Sequence, residues 1–400
     1  MAPGRREPES PSRAEPERTV LLLGIGNFAA SASLRATDPL LAKLAEHFAV
    51  TAGTAAATTV AFFLAYGACQ LVHGPAGDRF GKVRMVSLYT AFAALASLGC
   101  SLAPTLDALV AARFVAGVFV GGVIPLCLAW IGDVVPYERR QAVLGRFMVG
   151  QVAGTVSALA IGGWMAEHLS WRGQFVMIAA AFAVASVSLL VDLRSNPVHR
   201  AAAAVRATRS HALALLAVPW VRVILVAVFV EAGFAFGALA FIPLHLHQVH
   251  GLSVSTSGLV VALVAAGTLA YAVSAPRLLK AFGERGLVRW GGAAAGGGYL
   301  ALALSPWPWL VVAVLPVMGI GIASLHGTIQ VHATQMAPES RGAAVSTFAF
   351  ALFAGQSIGS WAGSSVVDRY GTAPILAVTA AGVLGLSIAF RAALARRARR

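Results

Sequence analysis

Six ionisable side chains interrupt stretches of sequence that are otherwise apolar. They are Arg35, Asp38, Arg113, Glu231, His326 and His332. A charged group inside an apolar span is costly to bury, so such residues mark the places where protons, ions or substrates are handled. Carboxyl and imidazole groups can also exchange a proton near neutral pH when their surroundings are adjusted. The pattern therefore predicts proton or ion transfer within an apolar interior.

Glu231 is the first candidate for a proton carrier. It follows Trp220, at the beginning of its span, by 11 residues, which is about 16 Å along a helix. Desolvation near the middle of a membrane favours the neutral carboxyl. Arg113 could pair with Glu231, bind an anionic group of a substrate or form a structural ion pair. Arg35 and Asp38 can share one helix face, where they would either shape an outer gate or take part in proton coupling.

A mixed polar and aromatic set is predicted to line a substrate cavity. Its members are Asn27, Phe28, Phe119, Gln151, Phe236, His326, Gln330 and Gln356. His332 and Met336 are four residues apart, a spacing that a soft metal could use. Because such pairs also arise by chance, neither a metal nor a cofactor is predicted.

Composition places these residues in a membrane. Apolar residues make up 58% of the 400 and charged residues only 12%, whereas a soluble domain has about 25% charged residues. Apolar runs of about 20 residues are long enough to cross a bilayer. We predict twelve spans, at about 19–47, 52–74, 84–103, 107–134, 141–167, 173–193, 217–248, 254–279, 287–304, 308–336, 342–367 and 373–391.

Basic residues fix the predicted orientation. With the N-terminus in the cytoplasm, all but five of the 30 Lys and Arg residues fall in cytoplasmic segments, as the positive-inside rule requires. Both termini are therefore predicted to be cytoplasmic. The net charge of +14 is explained by this distribution, and no nucleic-acid partner is expected. No HExxH motif is present and the external loops are too short to hold a catalytic domain, so an enzyme is not predicted.

Residues in the loops between spans recur at a constant offset along the chain, which indicates an internal repeat. Pro104 matches Pro306, Phe80-Gly81 matches Phe282-Gly283, and each pair is 202 residues apart. Two parallel six-span repeats around a midplane site are typical of transporters. The predicted units are a disordered tail at 1–18, bundles at 19–195 and 215–391, a linker at 196–214 and a basic tail at 392–400.

The segment GPAGDRFGKVR joins spans 2 and 3. Its glycines permit a tight turn, and its acidic residue lies at a helix end, where it can pair with a cation or a helix N-terminus. The segment resembles the signature loop of the major facilitator superfamily, which reads Gly-x-Leu-Ala-Asp-Arg-x-Gly-Arg-Lys/Arg. The matching positions are Gly74, Asp78, Arg79, Gly81, Lys82 and Arg84.

Other segments extend this resemblance over about residues 19–391. LVAARFVAG, which contains Arg113, DVVPYERRQAVLG and MAPESRGAAVS are similar to further motifs of the superfamily. The resemblance implies an all-α membrane protein with twelve transmembrane helices in two pseudo-symmetric six-helix bundles. It also implies that spans 1, 4, 7 and 10 line the cavity, that Asp78 latches the cytoplasmic gate in the outward-facing state, and that the protein works as a monomer.

The expected function is secondary active transport by alternating access. We expect proton-coupled export of a small organic solute across a bacterial inner membrane, with the solute, protons and the lipid bilayer as partners. Span 5 has Gly154-Thr155 where drug–proton antiporters of the superfamily carry Gly-Pro, which favours the alternative of nutrient or metal-ion uptake. A facilitator of the same fold and a transporter-like sensor would also agree with these residues.

Overall fold

Helices make up the regular structure of the described part of the chain. The computed structural model describes residues 14–196, 215–337 and 341–398. The predicted linker at 196–214 lies outside the described residues apart from Asn196. Helix α1 begins at Ala14, so the last residues of the tail predicted at 1–18 are helical. The last helix continues to Arg397, which places most of the predicted basic tail in that helix.

The helices are numbered in chain order. Those of the first half are α1 (Ala14–Leu34, continued by Asp38–Leu40 and Leu41–Phe48), α2 (Ala52–Ala68 and Gln70–Phe80), α3 (Lys82–Leu102), α4 (Leu106–Val134), α5 (Tyr137–His168) and α6 (Trp171–Ser195). Those of the second half are α7 (Pro219–Glu231, Ala232–Phe236, Gly237–Leu239 and Ile242–His250), α8 and α9 (together Val254–Leu304), α10 (Pro308–Gln335), α11 (Arg341–Tyr370) and α12 (Thr372–Arg397).

The number of membrane passes depends on two irregular segments. In the described residues, 10 helices are long and apolar enough to span a membrane, or up to 11 when the two parts of α2, bent by 50°, count as one. Val254–Leu304 is 51 residues long and is broken at Gly283, where φ is 64° and ψ is 173°. Division at Gly283, the boundary between α8 and α9, gives the twelve segments of the prediction.

Buried apolar side chains form two clusters. One contains Leu23, Phe62 and Phe182 of the first half, and the other contains Tyr299 and Phe390 of the second half. Most of each cluster comes from one half, but residues such as Phe241 and Val367 join the first cluster and Leu159 joins the second, so the two cores are in contact.

The two ends of the helix bundle carry different contacts. At one end, Arg18 at the beginning of α1 forms an ion pair of 3.4 Å with Asp192 of α6, and Arg397 of α12 lies 4.2 Å from the ring of Trp220. We call this end the terminal face. The other end, which carries the turns near residues 50, 170, 251 and 371, is the distal face.

Helices α2 and α11 join the two halves along their whole length. At mid-height, Ser357 Oγ donates to the Val60 carbonyl at 3.1 Å, and the rings of Tyr66 and Phe353 are 4.1 Å apart. Near the terminal face, a Cβ added at Gly74 would lie 3.9 Å from the hydroxyl of Ser346. The side of the molecule formed by α2 and α11 is therefore closed from the distal face to the terminal face.

Helices α5 and α8 meet only near the distal face. A Cβ added at Gly163 would lie 2.9 Å from the Val254 carbonyl oxygen. Towards the terminal face, no residue between Gly267 and Leu287 is buried, although all of them are described. The two helices therefore separate on this side, and the interior opens between them towards the terminal face.

Candidate functional site

Glu231 and His326 form a buried acid–imidazole pair between α7 and α10. His326 Nδ1 donates to Glu231 Oε2 at 2.9 Å. The Glu231 side chain is 0% exposed and the His326 side chain is 20% exposed. The carboxylate is therefore buried, and the imidazole beside it is partly exposed.

A π-helical turn sets the position of this pair. The π-helical segment Ala232–Phe236 begins directly after Glu231. Such turns occur frequently at functional sites and disturb the regular ladder of backbone hydrogen bonds. Neighbouring helices satisfy the affected carbonyls: the Tyr299 hydroxyl donates to Ala235, and the Ser360 hydroxyl donates to Gly237 at 3.3 Å. The turn is thus held from two sides, and the direction of the Glu231 side chain is fixed with it.

Aromatic rings enclose the pair. The Phe236 ring lies edge-on to the His326 ring at 5.3 Å between centroids, and the Phe348 ring of α11 is 6.0 Å away. Among the described residues, Glu231 Oε1 has no hydrogen-bond partner. A carboxylate oxygen that is buried without a partner is destabilised, whereas a protonated carboxyl leaves less charge unsatisfied.

Arg113 does not pair with Glu231. Its guanidinium group lies 3.9 Å from the Phe62 ring centroid and donates to the Ser33 carbonyl at 3.1 Å, so it is held within the first half. The expectation that Arg113 could be the partner of Glu231 is wrong for this conformation, because His326 occupies that place. The sequence could not show the contact between Glu231 and His326, since the two residues are 95 positions apart and belong to different helices.

Arg35 and Asp38 form the local salt bridge that their spacing predicts. Arg35 Nη1 lies 3.2 Å from Asp38 Oδ2. The pair follows the first segment of α1, which ends at Leu34, in the irregular part of α1 that leads to the distal face. Asp38 is 2% exposed, and its Oδ1 has no hydrogen-bond partner in the described part of the chain.

The predicted cavity residues are placed in different surroundings. Asn27 is buried and donates to the Phe147 carbonyl at 2.6 Å, so its amide links α1 to α5. Gln356 lies 3.5 Å from the Phe236 carbonyl, at the π-helical turn. Phe119 stacks on Phe92, which is 46% exposed, at 4.8 Å between centroids. The remaining members of the set are partly buried or exposed, namely Phe28, Gln151 and Gln330.

His332 takes part in a contact that the sequence did not indicate. It lies 3.4 Å from the Glu284 carboxylate and edge-on to Trp220 at 5.5 Å, close to the terminal face. In the described residues, no group of three or more His, Cys, Asp and Glu side chains is arranged to hold a metal ion.

The segment GPAGDRFGKVR forms its ion pairs within the first half of the chain in this conformation. Lys82 Nζ lies 2.9 Å from Asp78 Oδ1 and 2.7 Å from Asp133 Oδ2, which links α2, α3 and α4. Gly81 has a φ of 92°, a value that favours glycine and makes the turn between α2 and α3. Asp133 was missed by the sequence analysis because it lies 51 residues from Lys82.

Comparisons with known proteins agree with this architecture. The family model described as Major Facilitator Superfamily matches residues 23–360. An uncharacterized MFS-type transporter, YceJ of Bacillus subtilis, is 26% identical over 331 residues, which is 81% of this chain and 82% of that protein. The efflux pump vrtL of Penicillium aethiopicum is 33% identical over 122 residues, 30% of this chain and 24% of the pump.

Solved structures show the same fold at low sequence identity. The crystal structure of a bacterial homologue of the human lysosomal transporter Spinster aligns with a TM-score of 0.76 and 17% identity, over 96% of this chain and 98% of that one. Several curated relatives are matched over a small part of their length, because the chain spans only 20% to 34% of them. Their similarity therefore concerns part of each protein.

Proposed function

The chain belongs to the major facilitator superfamily, and from that membership we propose that it exports a small amphipathic organic solute in exchange for protons. The observation that carries this proposal is the contact between the buried Glu231 carboxylate and the His326 ring. In this proposal the pair is the coupling site, and the open interior beside it receives the solute.

The pair has two charge states that can drive an exchange. With an ionised carboxylate and a neutral imidazole it carries one negative charge, and one added proton makes it neutral. The structure leaves the second ring nitrogen of His326, Nε2, on the partly exposed side of the ring, since Nδ1 faces Glu231. Uptake of a proton at Nε2 from one side of the membrane and its release to the other would complete one cycle.

Solute and proton are proposed to compete for this pair. A solute that lies against His326 would cover its exposed edge and replace water there, and the aromatic rings of Phe236 and Phe348 would contact its apolar part. A solute with a positively charged group would favour the negatively charged form of the pair and expel the proton. This competition is what obligatory exchange requires.

We place the terminal face in the cytoplasm. Lys82, Arg140 and Arg397 lie at this face, and the positive-inside rule assigns such residues to the cytoplasmic side. The opening between α5 and α8 then faces the cytoplasm, and the distal face is external. In the opposite state, Asp78 is proposed to exchange Lys82 for a partner in the second half and so to close the cytoplasmic gate, with Gly74, Arg79, Gly81 and Arg84 forming its turn.

Uptake of a nutrient by the same fold is the second candidate. The observation in its favour is that α5 is a continuous helix from Tyr137 to His168 and carries Gly154-Thr155 where exporters of the drug–proton class have Gly-Pro. The direction of transport is decided with sealed inside-out vesicles, which accumulate the solute only if the protein exports it.

The first experiment measures proton release from the purified chain in detergent when a library of organic cations is added at weak buffering. Wild type is expected to release protons, and Glu231→Gln and His326→Gln are expected to release none. Glu46→Gln is a matched control, because Glu46 is exposed and forms an ion pair with the nearby Lys43. Binding without release in wild type, or unchanged release in both variants of the pair, would overturn the proposed coupling site.

A further inference from the structure

Two carboxylates at the distal face accept hydrogen bonds from the opposite half of the molecule. Asp368 at the end of α11 accepts hydrogen bonds from the Thr51 hydroxyl and the Gly53 backbone N–H at the beginning of α2, both at 2.7 Å. Glu167 at the end of α5 accepts from the Ser255 backbone N–H at the beginning of α8, at 2.8 Å.

The internal repeat relates the two contacts. Thr51 and Ser253 are 202 residues apart, and so are Gly53 and Ser255, which is the offset of the whole repeat. Thr51 and Ser253 are also the N-cap residues of α2 and α8, and each accepts from the backbone N–H three positions later. The N-cap and donor positions are therefore kept at the offset of the repeat, and the two carboxylates, Glu167 and Asp368, are 201 residues apart.

Each contact joins a carboxylate to the positive end of a helix dipole. Hydrogen bonds between a charged group and a backbone N–H are stronger than neutral ones, and a negative charge near a helix N-terminus is favourable. The contact therefore favours the ionised carboxylate when the halves are together.

The helices touch closely around both contacts. A Cβ added at Gly53 would meet Asp368 and the Ser364 backbone, and one added at Gly163 would lie 2.9 Å from the Val254 carbonyl oxygen. Because the donors and acceptors belong to different halves, any separation of the halves at this face breaks all three hydrogen bonds. Separation at the terminal face leaves them intact.

We propose that Asp368 and Glu167 are two symmetry-related clasps that hold the distal face closed and thereby set the balance between the two access states of the protein. The clasps act at the opposite end of the molecule from the Asp78 segment, and they involve neither Glu231 nor His326. The inference therefore stands whether or not the proposed proton coupling is correct.

The test measures distances between spin labels in the full-length protein in lipid nanodiscs. One label pair, at Leu169 and Val249, reports on the distal face, where both side chains are exposed. A second pair, at Arg146 and Lys280, reports on the separation of α5 and α8 near the terminal face, where both are also exposed.

Asp368→Ala and Glu167→Ala are each expected to raise the ratio of distally open to distally closed molecules about fivefold, and together about 25-fold if the clasps are independent. The distance between Arg146 and Lys280 should shorten in the same molecules. Asp107→Ala is the control, because Asp107 is an exposed carboxylate in the first turn of α4 at the same face.

Two substitutions of Thr51 test whether a folding defect, rather than the loss of the clasp, explains the effect of Asp368→Ala. Thr51→Ser keeps the hydroxyl that donates to Asp368 and should behave as wild type, whereas Thr51→Val removes it and should shift the balance in the same direction as Asp368→Ala. Added to Asp368→Ala, Thr51→Val should have little further effect. Distal distances that match wild type in both alanine variants, or an equal shift in Asp107→Ala, would overturn the proposal.

Discussion

Gly359 offers a direct test of the packing that holds Glu231 in place. A Cβ added at this residue of α11 would lie 2.6 Å from the Gly233 Cα and directly against the Gly233 carbonyl, inside the π-helical turn of α7. These atoms are backbone and cannot rotate away. Gly359→Ala therefore forces α11 and α7 apart by about 1 Å, and a gap of that size loses a quarter to a half of the attraction of each contact across it.

The expected cost is about 3 kcal/mol, at the upper end of what overpacking of a rigid interior costs. Gly385 of α12 is a matched control, since a Cβ added there meets nothing within 4 Å. Gly385→Ala is expected to change stability by less than about 0.5 kcal/mol, as surface substitutions usually do. The same chemical change should thus have very different effects at two glycines of neighbouring helices.

The assay compares thermal unfolding of the purified variants in one detergent, followed by intrinsic tryptophan fluorescence. Gly359→Ala should unfold at a clearly lower temperature than wild type, and Gly385→Ala should not. Proton release by Gly359→Ala should also fall, because the Glu231 side chain moves with the turn. If Gly359→Ala were as stable as wild type, the close contact of α7 and α11 would be refuted.

Three further predictions concern single groups. Tyr299→Phe should lose about 1 to 3 kcal/mol of stability, because the Ala235 carbonyl is left without its donor in a dry interior; unchanged unfolding would mean that another group satisfies this carbonyl. Arg113→Lys should destabilise by a similar amount, since lysine cannot both stack and reach the Ser33 carbonyl, and thermal unfolding checks it. The Glu167 clasp needs an ionised carboxylate, and a glutamate carboxyl is ionised well above its ordinary pKa of about 4.3, so distal distances should not change between pH 8 and pH 6; a change in that range would contradict this assignment.

The sequence predicted the fold because hydropathy, basic residues and the repeat all report on the same architecture. Apolar runs fix where the helices cross, and the motif around Asp78 identifies the family, which the family model across residues 23–360 confirms. Glu231 could be singled out because a buried carboxylate is rare in an apolar span. Its role as a proton carrier stays a prediction.

The partner of Glu231 could not be read from the sequence. Which residues face each other across α7 and α10 depends on the rotation of each helix, and the π-helical turn shifts that rotation after Glu231. Local propensity does not predict such a turn, because neighbouring helices stabilise it through Tyr299 and Ser360. The distal carboxylates were missed for another reason: at a span end they look like ordinary solvated residues.

The separation of α5 and α8 has a consequence for how a solute's apparent affinity should be measured. Between Gly267 and Leu287 no residue of this described segment is buried, and α8 belongs to a segment apolar enough to span a membrane, so in a bilayer the gap beside it would border the hydrocarbon layer as well as water. An apolar solute concentrates in that layer according to its partition coefficient. The solute concentration that half-saturates the protein, calculated over the aqueous volume, would then vary with the lipid-to-water ratio of the sample. The half-saturating concentration calculated per unit of lipid volume would stay constant. For the same reason, binding in detergent micelles and in vesicles should agree only after each is corrected for the volume of its apolar phase.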